Sequence, residues 1–110
     1  MSEQTPLDLA RAVKLRLRAA SKNAAEARKD WTGLRLLMAK AQHENTRAMH
    51  AEAIGVHTLR MWGAEQALAA IAEEWRACLA ARAAMPKAER WNLAGVERWA
   101  EIAAVMERQP

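Results

Sequence analysis

A chain of 110 residues is the size of one domain, and 17 Lys/Arg against 13 Asp/Glu leave a net charge of +4. One cysteine, Cys78, excludes an internal disulfide, and no CxxC or Cys/His pair is present for a structural zinc, which fits a reducing, cytoplasmic setting. The opening stretch lacks the apolar core of a signal peptide, and no apolar run approaches the ~20 residues of a membrane span. The expectation is a single domain over residues 1–110, with 1–5 a flexible lead-in and no membrane contact.

Alanine supplies much of the 52% hydrophobic content, so helices should approach closely around a thin core. Thr5-Pro6-Leu7-Asp8 is a strong helix start: Thr5 can cap, Pro6 suits the first helical position, and Asp8 complements the helix dipole. From there a 4-3 apolar rhythm runs through Ala10, Val13, Leu17, Ala20, Ala24, Ala27, Trp31, Leu34, Met38, Ala41, Asn45 and Ala48. One helix from Pro6 to Trp62 would be about 85 Å long at 1.5 Å per residue, too long for a compact domain. A break at 21–23 or at 30–33, or an elongated hairpin or coiled-coil dimer, resolves this, and the break at 30–33 is favoured.

Gly63 reads as a C-cap that stops this stretch. The segment 64–84 then repeats Leu68, Ile71, Trp75, Cys78, Leu79 and Arg82 at helical spacing, and Met85-Pro86 ends it. A last helical stretch to about Arg108 carries Leu93, Val96, Trp99, Ile102, Ala103 and Met106, with Asn92 placed to cap a fresh start. The expected fold is all-α: a small antiparallel bundle or elongated hairpin of three to four helices at about 6–30, 33–62, 64–84 and 87–108.

His43, His50 and His57 are the only histidines and fall seven residues apart. Neighbours would stand about 10 Å apart along one helix. Zinc holds its ligands at about 2.0–2.1 Å, so two of them cannot share an ion within one chain. No metal site is expected, and the stripe is either a contact face, across which a copy of the chain could make a pH-sensitive pairing, or a solvated one.

The first half is basic, with eleven Lys/Arg against six Asp/Glu, and the second half is near neutral. Arg11, Lys14, Arg18, Lys22 and Lys29 share a narrow face of the first helix, opposite its apolar residues. Such a face is either solvated or laid along a phosphate backbone. Residues 47–66 resemble the outline of a generic helix-turn-helix: Ala51 at the close helix contact, Gly55 in the turn, Ile54, Val56 and Met61 apolar around it, and Arg60 basic in the second helix. That resemblance implies DNA binding through 47–66.

No nucleophile-base arrangement, phosphate loop or cofactor motif is present, and Cys78 sits at a core spacing. The chain therefore reads as a non-enzymatic, cofactor-free helical interaction protein. It would bind, and regulate or sequester, a protein partner as a homodimer, with Trp31, Trp62, Trp91 and the three histidines as interface candidates. Trp favours that role because it dominates interface hot spots. The alternative is a DNA- or RNA-binding regulator using Arg11, Lys14, Arg18, Lys22, Lys29 and Arg60.

Overall fold

Two long antiparallel helices form the body of the molecule, in a computed structural model that describes residues 4–109. α1 runs Pro6–Lys40 and α2 runs Glu44–Ala84, joined by a three-residue turn at 41–43. Short 3-10 turns follow at Lys87–Glu89 and Leu93–Gly95, then α3 at Trp99–Glu107. No strand occurs among the described residues, so the all-α expectation holds. The particle measures 67 × 29 × 20 Å, the elongated hairpin of the two shapes considered.

The start of α1 follows the local chemistry. Thr5 Oγ1 accepts from Asp8 N at 3.1 Å, and Asp8 Oδ2 accepts from Thr5 N, which is a reciprocal capping box with Pro6 just inside it. Thr5 is thus held as a cap instead of belonging to a flexible lead-in, while residues 1–3 of that expectation lie outside the described residues.

The internal boundaries differ from the sequence reading. α1 continues through 30–33, whose first two residues are tied to α2. Asp30 accepts from Arg60 Nη1 at 2.8 Å, and Trp31 Nε1 donates to Thr58 Oγ1 at 2.8 Å. The chain reverses instead at Ala41-Gln42-His43, which holds neither Gly nor Pro. α2 passes through Gly55 and Gly63 without a break, so Gly63 is no C-cap and 47–66 is continuous helix. A mid-helix glycine costs about 0.5–1 kcal/mol relative to alanine. Breaking α2 there would instead unseat Met61 and Ala64, both buried against α1, from Leu68 and Trp75 further along. The helix expected at 87–108 is shortened to α3, preceded by turns in which Asn92 Oδ1 does accept from Ala94 N as a cap. Arg98 opens α3 from a left-handed conformation, φ 60° and ψ 36°, which turns the chain back along α1.

The core is uneven along the rod. At the end opposite the 41–43 turn, here the base, α3 packs beside α1 and the layer is three elements thick. Ala10, Val13 and Leu17 of α1 meet Trp75, Trp91, Val96, Ile102 and Val105. Trp75 is fully buried, with the Trp91 and Trp99 rings tilted against it at 6.3 and 5.6 Å between centroids. Toward the turn, only α1 and α2 remain, and residues 34–56 contribute no buried side chain.

Candidate functional site

The histidine stripe lies along the inner face of α2. His57 precedes Leu68 by eleven residues, close to three turns, so the two share a face. His50 and His57 are half-buried against the hairpin's own partner helix, and His57 Nδ1 is buried without a hydrogen bond. His43 is the exposed N-cap position of α2, where its side chain makes no cap. The three therefore do not form an outward-facing row. Among the described residues no three His, Cys, Asp or Glu side chains are grouped to hold a metal ion.

The tryptophans separate into different roles. Trp91 is buried at the base, where Arg82 lies over its ring at 5.4 Å and donates to its carbonyl, so it belongs to the core and not to a free surface. Trp31 bridges the helices through Thr58, whose hydroxyl in turn donates to Ile54 O, and Arg35 stacks over its ring at 4.8 Å. Trp62 is different: it is 61% exposed on the outer face of α2. Leu59, 73% exposed, stands about two and a half turns before the buried Leu68 and so points the opposite way. Met49 and Val56 are also exposed, and with these two they make an apolar band, winding about 140° round the helix, that no described residue covers. Gly55 and Gly63 lie one turn either side of Leu59, with open space above both.

Sequence reasoning selected Trp62 and missed Met49, Val56 and Leu59. The available signal was a near-symmetry about Leu59. Val56 and Trp62 lie three residues away on either side, and Gly55 and Gly63 lie four away.

The basic residues of α1 do not form one solvated face. Arg11 Nε donates to Gly95 O at 3.0 Å, and Arg18 pairs with Glu101 at 3.3 Å, so both hold the C-terminal segment. Arg60 is taken up by Asp30, while Lys29 is exposed nearby. Lys14, Arg18 and Lys22 instead line a groove of about 310 Å³ between α1 and α3, where they are joined by Arg98 and Arg108. Those last two lie some eighty residues away in sequence, which is why no local pattern exposes them. Leu17, Ile102 and Val105 make the floor of the groove. Glu101, its one carboxylate among the described residues, is shared by Arg18 and by Arg98 at 3.5 Å. Lys14 is 4% exposed and makes no ion pair or hydrogen bond with any described residue.

Three groups titrate away from their ordinary values. Asp30 is held below 3.8, chiefly by the hydrogen bond from Arg60. The hydrogen bond to Glu74 raises Arg16. Burial pushes the Cys78 thiol above 9.0, with the Glu74 charge adding to it, which keeps the thiol protonated and unreactive at neutral pH. None of these forms an acid-base pair in a cleft. No helix among the described residues is long and apolar enough to cross a membrane. No family model, curated protein or solved structure matches this chain, so its function has to be read from its geometry.

Proposed function

We propose that this protein is a non-enzymatic, cytoplasmic helical interaction module that pairs with a second copy of itself through the outer face of α2. The observation carrying this reading is the exposed band of Met49, Val56, Leu59 and Trp62 on α2, whose opposite face is buried from Met61 to Cys78. Large apolar side chains clustered on an otherwise charged surface mark interaction sites, and an exposed Trp is a natural anchor.

The near-symmetry of the stripe favours a copy of the same chain as occupant. Two α2 helices crossing antiparallel about Leu59 would bring Trp62 of each to Val56 of the other. Gly63 would face Gly55, where the missing side chains let the backbones come close, and Gln66 would face Glu52. That is a self-complementary, isologous contact that closes on two subunits. The helix-turn-helix alternative loses its support because 47–66 contains no turn. A nucleic-acid role through the basic stripe ranks behind, since Arg11, Arg18 and Arg60 are engaged with acceptors inside the chain.

Leu59→Glu tests the proposal. In light scattering at matched concentration the wild-type chain is expected at twice the monomer mass and the variant at the monomer mass, with the same helical circular dichroism. A wild-type chain that stays monomeric at about 100 µM, well above the micromolar range of modest protein interfaces, would overturn self-pairing.

A further inference from the structure

The groove between α1 and α3 lies at the base, away from the stripe that the dimer reading uses, and it raises a separate question. A lysine side chain buried to 4% exposure is normally paired, because taking an ammonium out of water costs several kcal/mol unless a counter-charge compensates. Lys14 has no such partner among the described residues. Its ammonium is not sealed inside the protein either. Among the described residues the fully buried side-chain nitrogens without a partner are His57 Nδ1 and Trp75 Nε1, and Lys14 Nζ is not one of them. The side chain instead lines the groove, its stem covered and its head at the wall.

The surroundings of Lys14 specify what could complete it. Among the described residues the one carboxylate of the groove, Glu101, is already taken by Arg18 and Arg98. Lys22 and Arg108 add two further positive charges at the rim. The floor of Leu17, Ile102 and Val105 offers nothing to a hydrated ion but suits an aliphatic or aromatic body. At about 310 Å³ the groove is at the lower end of the size range for small-molecule sites. A phosphate backbone would meet the rim cations but would leave both the apolar floor and the recessed Lys14 unused.

We infer that the α1–α3 groove binds a small amphipathic anion, its acidic head on Lys14 and its apolar body on Leu17, Ile102 and Val105. The head is a carboxylate or a phosphate monoester, which share the chemistry of an anionic oxygen cluster accepting from an ammonium.

Calorimetric titration of the full chain with monomeric octanoate and octyl phosphate tests this and identifies the head. Octanamide, which carries the same tail without charge, is the control. At least one of the two anions is expected to bind saturably, one per chain, and octanamide at least tenfold more weakly. Lys14→Met keeps the buried volume and removes the charge, and should weaken the anion at least tenfold. Lys29→Met, outside the groove, should leave its affinity unchanged. Ala104→Trp, at an exposed position of the lining, should block the tail and abolish binding with the helical spectrum intact. It therefore keeps the test decisive even if the Lys14 variant folds poorly. Failure of both anions to bind, equal binding of octanamide, or unchanged affinity in Ala104→Trp or a folded Lys14→Met would overturn the site.

Discussion

Asp30 and Arg60 show how single residues decide where this hairpin stays closed. Their 2.8 Å ion pair sits one residue from the Trp31–Thr58 hydrogen bond, and together they cross-link the helices just where the buried core thins. Asp30 has its folded-state pKa depressed below 3.8, so the sign is fixed. The pair stabilises the fold above the ordinary carboxylate value, and that contribution is lost as pH falls through the depressed one. Comparing wild type with Asp30→Asn by thermal unfolding should show wild type ahead by a constant margin above about pH 6, roughly two units beyond the ordinary carboxylate value, where the unfolded carboxylate is fully ionised. The margin should shrink toward zero as the pH drops below 3.8. A margin that persists unchanged in acid would mean the carboxylate charge contributes nothing. Trp75 Nε1 is the opposite kind of residue, buried with no acceptor, and its ring must gain enough from packing on Trp91 and Trp99 to offset that loss.

The helices themselves carry three glycines at interior positions, and none has a neighbour that a Cβ would meet. Gly33→Ala should therefore raise stability by about 0.5–1 kcal/mol in urea unfolding, through helix propensity alone. Gly55→Ala and Gly63→Ala should give the same gain when measured in the monomeric Leu59→Glu background, yet weaken self-pairing in the otherwise wild-type chain. Equal dimer affinity with and without these glycines would remove them from the contact. These same residues explain what the sequence could and could not disclose about the elements. The capping box at Thr5, the Ala-rich seam from Ala10 to Ala27 and the end at Met85-Pro86 are local chemistry and were legible. Gly63 misled because a glycine's penalty is small beside the packing on either side of it. The real turn at 41–43 has no punctuating residue, and the seam rhythm simply runs across it to Asn45 and Ala48, both exposed in the fold. The groove was half legible: Lys14, Arg18 and Lys22 stood out as a stripe, but Arg98 and Arg108 join it only through the left-handed turn at Arg98.

At the scale of the whole molecule, the chain is a rod with one dense end and one lean end. Its radius of gyration is 19.3 Å, against about 13 Å for a compact domain of this length. Native-state hydrogen exchange should report that division. Amides within 10–27 and 64–78 are expected to exchange only on global unfolding, and those within 34–56 through cheaper local openings. Uniform protection along both helices would contradict it. The three-residue turn has a further consequence for how the rod assembles. Hydrogen bonds from α1 to later segments close loops of growing span away from the turn: 27 residues for Trp31–Thr58, 58 for Arg16–Glu74 and 84 for Arg11–Gly95. Loop-closure entropy grows only logarithmically with span, so the most distant of these is about 1 kcal/mol costlier to close than the nearest. Burying one large apolar side chain such as those at the base returns about 1.5–3 kcal/mol. The gradient in packing is therefore steeper than the gradient in entropy. The folding nucleus is therefore expected in the core of Leu17 and Trp75, with φ-values there exceeding those at Trp31 and Thr58, while the turn sets the alignment of the two helices.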